Sequence, residues 1–395
     1  VLLTISGVSQ ASEDVCFRKI GKLLQNFLLR HSGSQILENV VDRNPHPTDA
    51  RFATALAWFD GDDVLIIHGL IVRLEASTGK LCLINSVFTN AGLKRSYLPK
   101  RIIRIGPAGW SYKDWEGIVY PQKPGKSFDP LEYLSQFFNT IEINSSFYRP
   151  PVASTTKSWA KRVAGNKEFA FSAKMHRLFT HERGKATAED EKAFREGMDV
   201  LAKERRLGAV LLQFPWSFKN TADERIYLAK LIEQFSDYPL VLEVRHASWN
   251  NEKIYEWLAE RGVGVCNIDQ PIFAKSIRPA ALTTSPIGYV RLHGRNYQNW
   301  FRDKAPPHER YNYLYSLDEL DPWLVRIKEV AKQTRETYVV TNNHFRGQGV
   351  VNALEIKAAL TEEPVPAPEP LFRVYPRLSE SATPDDPNKS PKLFG

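Results

Sequence analysis

Only three cysteines occur in the 395 residues, Cys16, Cys82 and Cys266, and no two of them are close in sequence. A disulfide framework and a cysteine-based zinc site both need paired cysteines at short spacing, so neither is expected. HxH and HExxH spacings are also missing. No apolar run approaches the roughly 20 residues that a membrane-spanning helix requires. The first residues, "VLLTISGVSQASEDVC", lack the basic segment and the longer apolar stretch of a secretory signal. These absences lead to the expectation of a cytoplasmic protein without membrane attachment. Negative charge is in the minority, 45 Asp and Glu against 53 Lys and Arg, for a net +8. Basic surfaces attract anions, so a small anionic substrate, a nucleotide or a nucleic acid is the expected class of partner.

The chain divides into three zones. Residues 1–98 hold apolar clusters such as "VLIIHGLIVRL" without helix–strand rhythm, and read as a small domain or an N-terminal extension. The segment from 362 to 395 is rich in Pro, Ser and acids, and its composition predicts disorder. Between them lies regular alternation. Short β-rich runs stand at 101–109, 140–147, 169–175, 208–214, 240–246, 262–269, 287–294 and 337–343. Helical periodicity fills most of the gaps, as in "EDEKAFREGMDVLAKERR" and "DERIYLAKLIEQF". Eight such units over about 260 residues predict an α/β fold, a (β/α)8 TIM barrel spanning 101–361. The alternative, a doubly wound open sheet, usually carries a Gly-rich phosphate turn after its first strand, and "GPAGWS" lacks that spacing. The connection 270–286 is too short for a full helix, and the aromatic stretch 294–316 is long enough to form a lid.

Barrel strands alternate sides, and helices cover the outer side, so polar residues flanked by apolar ones should face the lumen. By this rule Glu142, Asn144, Ser172, Lys174, Gln213, Glu243, Arg245, Arg291 and His293 point inward, as do Asn267 and Asp269. The eighth strand is ambiguous because Thr341, Asn342 and Asn343 are consecutive. A lumen built for stability alone would hold Val, Ile and Leu. Two readings follow: a salt-bridge network of Glu142 and Glu243 with Arg245 and Arg291, or a ligand site at the strand ends. Lower residues bracing and upper ones binding reconciles them.

For the site, an anion would be met by Lys174, Arg245 and Arg291, with His293 and Arg346 at the same mouth. The "NNHFRGQG" turn into a helix is placed where many barrels bind phosphate. Trp110, Tyr148 and Trp249, near strand ends, suit stacking on a ring. Glu142, Glu243, Asp269, His293, His176 and His246 are types that a divalent cation accepts. Guanidinium groups in the same layer compete for those carboxylates, so no metal or other cofactor is expected. Glu243 with Asp269 would be the better carboxylate pair for sugar hydrolysis.

The motifs "GPAGWSYKDWEGIVYP", "IEINSSFYRPP", "FSAKMHR", "LLQFPWSF", "LEVRHASW", "YVRLHGR" and "TNNHFRGQGVVNA" together resemble the domain of unknown function 72 family, also called YecE-like. The resemblance runs from Ile103 to Leu360 and implies a TIM barrel, without a known reaction. It implies functional positions at Trp110, Glu142, Asn144, Tyr148, Lys174, Gln213, Glu243, Arg245, Asp269, Arg291, His293 and Asn343. Residues 1–98 and "PWSF" depart from the family pattern. The resulting expectation is a hydrolase or lyase for a phosphorylated or nucleic-acid-related substrate. His293 would be its acid or base and Glu243 or Asp269 the partner carboxylate. A non-catalytic binding barrel and a glycoside-type hydrolase are the alternatives.

Overall fold

The structure is a computed structural model that describes residues 101–302 and 307–386, and the backbone of two strands, β1 (Leu70–Glu75) and β2 (Lys80–Asn85). The chain forms two compact units, Val1–Lys94 and Arg95–Gly395. In the first, β1 and β2 pair antiparallel from Leu70–Asn85 to Glu75–Lys80. The rest of the expectation for 1–98 lies outside the described residues.

In the second unit every expected β-rich run forms a strand. They are β3 (Ile102–Pro107), β4 (Thr140–Ile143), β5 (Ala170–Lys174), β6 (Leu207–Gln213), β7 (Leu240–Glu243), β8 (Gly264–Asp269), β9 (Ile287–Leu292) and β10 (Glu336–Thr341). All pair parallel in the order β3-β10-β9-β8-β7-β6-β5-β4. The two ends meet at a bridge between Ala108 and Glu142, where the Gly109 amide donates to the Glu142 carbonyl at 2.9 Å. A Cβ on Gly106 would lie 1.8 Å from the Thr140 carbonyl oxygen, so the seam closes only around glycine. This is the TIM-barrel architecture.

Helices start where local chemistry starts them. Asp129 caps α1 (Pro130–Leu134), accepting from two amides of its first turn. Helix α2 (Ala153–Arg162) and the short α3 (Arg177–Thr180) follow β4 and β5. Thr187 and Asp190 form a capping box on α4 (Ala188–Lys203). Helices α5 (Ala222–Gln234) and α6 (Glu252–Ala259) are capped by Thr221 and Asn251. Ser316 and Glu319 repeat the box on α7 (Leu317–Gln333), and α8 (Gln348–Thr361) completes the ring. Among the described residues, 270–286 contain no helix. The outer face of β8 is instead tied to this loop by Asn267, which accepts from the Leu282 amide at 2.8 Å and donates to its carbonyl at 2.9 Å.

The bottom of the lumen is filled. Tyr338 stacks on Tyr289 with ring centroids 5.9 Å apart, and its hydroxyl donates to Glu336 at 2.8 Å. Arg104 also donates to Glu336 at 2.8 Å, beneath the Tyr338 ring.

The segment expected to be disordered departs from its composition. Residues 365–368 form β11 (Val365–Pro368), which pairs parallel with β12 (Ala382–Asp385), and α9 (Leu371–Val374) lies between them. Val365, Ala367, Leu371, Leu378 and Ala382 are buried, and Arg377 pairs with the buried Glu355 of α8 at 2.9 Å. Five apolar anchors and one ion pair outweigh a Pro-rich composition; residues 387–395 lie outside the described residues. Leu371→Ala is therefore expected to lower stability by about 2–5 kcal/mol in urea denaturation. A change within about 0.5 kcal/mol would place this segment off the barrel.

Candidate active site

The lumen above the tyrosines is organised by Arg291 on β9. Its Nε and Nη2 donate to the two oxygens of Glu142 on β4, at 2.9 and 2.5 Å. Its Nη1 donates to Glu243 Oε2 on β7 at 2.9 Å and to Gln213 Oε1 on β6 at 3.3 Å. The Tyr289 phenol donates to Glu142 at 2.8 Å and accepts from the Ser172 hydroxyl at 2.7 Å. Arg291 is 1% exposed and both carboxylates are fully buried, so this is a desolvated two-carboxylate clamp on one guanidinium.

Glu243 has no free lone pair for chemistry. Its Oε1 accepts from Arg245 at 3.0 Å and from His293 Nε2 at 3.1 Å, and its Oε2 faces Arg291. Burial opposes its charge, but Arg291, His293 and Arg245 together hold its pKa well below the usual range. His293 is equally engaged. A carboxylate partner requires the proton on Nε2, so Nδ1 accepts from the Asn342 amide at 3.0 Å. Burial pushes the pKa of His293 down to about 3, overcoming the pull of Glu243. A neutral, enclosed imidazole with both nitrogens bonded orients Glu243; the expected acid–base role of His293, and the catalytic role of Glu243, lack the access they need.

Asp269 is a clear correction. On β8, Cys266 and Ile268 share the face of Tyr289 and Arg291, so Asn267 and Asp269 point outward. Arg295 donates to Asp269 at 2.9 Å, with Tyr315 and Trp323 beside it, and burial lifts its pKa above the usual range. It cannot partner Glu243, and Glu142 and Glu243 are both bonded to Arg291, so no carboxylate pair is left for sugar hydrolysis. Asn343 likewise turns to the helices, donating to the Tyr313 carbonyl and to Asn352, both at 2.8 Å. Trp249 is 1% exposed and stacks on Phe218, donating to its carbonyl at 2.9 Å, inside the core rather than at the mouth.

The expected phosphate niche after β10 is filled by the chain itself. Arg346 sits in a left-handed turn (φ 50°), its amide donating to Asp114 at 2.6 Å and its carbonyl accepting from Tyr375 at 2.7 Å. Gly347, next to it, packs against Val119 and Leu371.

The strand ends of β3, β4, β5 and β10 do enclose a cavity of about 440 Å³. Its walls are Trp110, Tyr112, Tyr148, Trp159, Tyr311 and His344, with Asn144 and Asn342 between them and Arg291 at the floor. Tyr112 stacks on His344 with centroids 4.4 Å apart and folds back over Gly109, whose φ of 80° and missing Cβ leave it room. Trp110 stands edge-on to Trp159 at 5.1 Å. Tyr148 is 69% exposed at the rim and stands edge-on to Phe147 at 5.0 Å. Expected site residues Trp110, Asn144, Tyr148, Lys174 and Arg291 thus meet here. Arg245 and Gln213 belong to the brace beside it, Arg245 under the Trp300 ring at 5.3 Å. Tyr112, Tyr311, His344 and Asn342 complete the cavity. The reading of "NNHFRGQG" as a phosphate turn does not single out His344, and Tyr311 enters only as part of the aromatic stretch 294–316.

Lys174, the last residue of β5, projects its ammonium into this cavity, 4.0 Å from the centre of the Phe147 ring. Its pKa is drawn down to about 7, first by burial and then by Arg291. Three cations, Lys174, Arg245 and Arg291, face two carboxylates, and Lys174 is the one without an ion pair among the described residues. No group of three or more potential metal ligands is found among the described residues.

The family model described as "Protein of unknown function DUF72" matches residues 104–372. The UPF0759 protein YunF of Bacillus subtilis is 29% identical over 278 residues, 66% of this chain and 96% of that one. The crystal structure of a DUF72 family protein from Thermotoga maritima is 34% identical, with a TM-score of 0.57 over 66% of this chain and 99% of that one. A DUF72 family protein from Enterococcus faecalis shares the fold at 23% identity, with a TM-score of 0.58 over 66% of this chain and 96% of that one.

Two stability effects follow from the brace. Arg291→Met strands the buried Glu142 and leaves Glu243 with Arg245 and His293 alone, and should cost about 3–5 kcal/mol in urea denaturation; a loss below 1 kcal/mol would dissolve the clamp. His293, with its pKa lowered to about 3, stays unprotonated in the fold while the unfolded chain takes its proton near pH 6.5. Its contribution is full above that pH and is lost as pH falls, by about 1.4 kcal/mol per unit. Urea titrations from pH 7 to 5 should show His293→Gln flattening the slope by one proton; equal slopes would refute the assignment.

Proposed function

The chain belongs to the DUF72 family, and on that premise we propose that its aromatic-walled cavity is the active site of an enzyme, a hydrolase or lyase, for a small anionic substrate with a flat ring. The observation that carries this reading is Lys174: a cation without an ion-pair partner, projecting from a rigid strand end into an open cavity. Burying an unpaired lysine destabilises a fold, and such residues cluster where function needs them. The C-terminal mouth is where barrel enzymes place their chemistry. The cavity volume of about 440 Å³ suits a sugar phosphate or a mononucleotide rather than a nucleic-acid strand. Aromatic walls stack on the ring, and Lys174 meets the charge and exchanges protons near neutral pH. The Arg291 clamp fixes the floor without entering the chemistry.

Thermal shift and calorimetry with sugar phosphates and nucleoside monophosphates test this. At about 100 times Kd a ligand should stabilise the fold by about 2.7 kcal/mol. An anion binds the ammonium form, so its affinity should fall as pH rises above Lys174's pKa of about 7. Lys174→Met should weaken binding by about tenfold or more while raising the stability of the free protein by about 1 kcal/mol. Silence from the whole panel, or wild-type affinity in Lys174→Met, would remove the cavity from consideration as an anion site.

A further inference from the structure

The placement of Lys174 points to more than charge pairing. Its backbone is fixed on both sides: the Ser146 hydroxyl donates to its carbonyl at 2.7 Å, and the next amide, Met175, donates to the Leu211 carbonyl at 3.0 Å. The amine therefore reaches the cavity from a rigid root. The carboxylates nearest in the lumen, Glu142 and Glu243, are both bonded to Arg291, and their pull on the lysine proton is outweighed by burial and by the Arg291 charge. On its other side lies the ring of Phe147, and beside it the Arg291 charge opposes a second cation. The Phe147 face favours the ammonium form, but burial and the Arg291 charge outweigh it, and a lysine drawn toward its free amine on a rigid strand end facing a cavity can act as a nucleophile. Asn144, in the same cavity, offers an amide to a substrate oxygen.

We propose that Lys174 forms an imine with its substrate, which is a phosphorylated or carboxylated aldehyde or ketone. The inference rests on the cavity being the active site. The amine lone pair adds to the carbonyl carbon, and the carbonyl π pair moves onto oxygen, which takes the proton that nitrogen releases. The resulting hydroxyl accepts a second proton from solvent in the open cavity and leaves as water, while the nitrogen lone pair closes the C=N bond. One water is released, no electrons change hands, and hydrolysis reverses the step. The protonated imine then serves as an electron sink for a substrate with a hydroxyl on the second carbon from the C=N. That hydroxyl gives its proton to solvent and its oxygen pair closes a C=O, the bond between the first and second carbons breaks, and its pair forms an enamine. A solvent proton on the enamine carbon restores the imine, and hydrolysis frees the second product, a lyase reaction. At pH 7 about half of an amine with a pKa near 7 is free, against less than about one part in a thousand for a solvated lysine.

The test uses pyridoxal 5′-phosphate as a phosphorylated aromatic aldehyde probe, with borohydride reduction and peptide mapping of the full chain at pH 7. Lys174 should carry on the order of tenfold more label than any exposed lysine, since its free-amine advantage exceeds the accompanying loss of nucleophilicity. Lys174→Arg keeps the cation but lacks the nucleophile, and should lose this label. Label spread over surface lysines with Lys174 unmodified overturns the imine. Calorimetry with pyridoxine 5′-phosphate, which has the same ring and phosphate but no aldehyde, separates the two ideas. If it binds while Lys174 stays unlabelled, only the imine fails; if it does not bind and Lys174 stays unlabelled, both readings fail.

Discussion

A guanidinium held between two buried carboxylates sets the terms for the rest of this barrel. Arg291 of β9 reaches Glu142 on β4 and Glu243 on β7, and leans on Gln213 of β6. Through Glu243 it engages Arg245 and His293, and through His293 the Asn342 amide beyond β10. None of these groups is tolerable alone in a desolvated lumen. Together each supplies the partner the others need, and their positions are over-determined. A network of this kind fixes geometry, yet it also immobilises its members as reagents. Glu243 stays ionised with every oxygen engaged, and His293 stays neutral.

The division of labour inside the barrel follows from that saturation. On the proposed reading, chemistry falls to a side chain that the network surrounds without pairing, and Lys174 fits that description. The cavity is offset toward β3, β4, β5 and β10, on the Glu142 side of the clamp, where that carboxylate is already bonded to Arg291. Its walls come from loop residues, as Tyr112, Tyr148, Tyr311 and His344 show, whereas its floor comes from strands. A strand-built floor under aromatic walls is the arrangement on which the proposed pairing of a fixed amine with a ring-bearing substrate depends.

The periodicity of the sequence made eight strands legible and placed Glu142, Ser172, Lys174, Gln213, Glu243, Arg245, Arg291 and His293 on the correct face. In each case apolar neighbours on the opposite face left no other choice. The same rule failed on β8, where Asn267 and Asp269 lie on the helix side. Hydrogen bonds to the 270–286 loop and an ion pair with Arg295 make polar groups acceptable there, and such partners are distant in sequence. Three consecutive polar residues at the end of β10 gave no apolar reference, so Asn343 was preferred although Asn342 faces inward. Trp249 and the 362–386 segment failed for a related reason: burial against a remote element leaves no mark on local composition. Arg346 stays exposed, and its turn is held by backbone bonds to Asp114 and Tyr375, both remote in sequence.

The tyrosines stacked beneath the Arg291 layer give the lumen a closed end. With Tyr338 and Tyr289 in contact and Arg104 and Glu336 paired below them, no passage runs along the barrel axis. Among the described residues, entry and exit then share the strand-end mouth. If the proposed reaction takes place there, a product held by the aromatic walls would compete with its own precursor for the same opening.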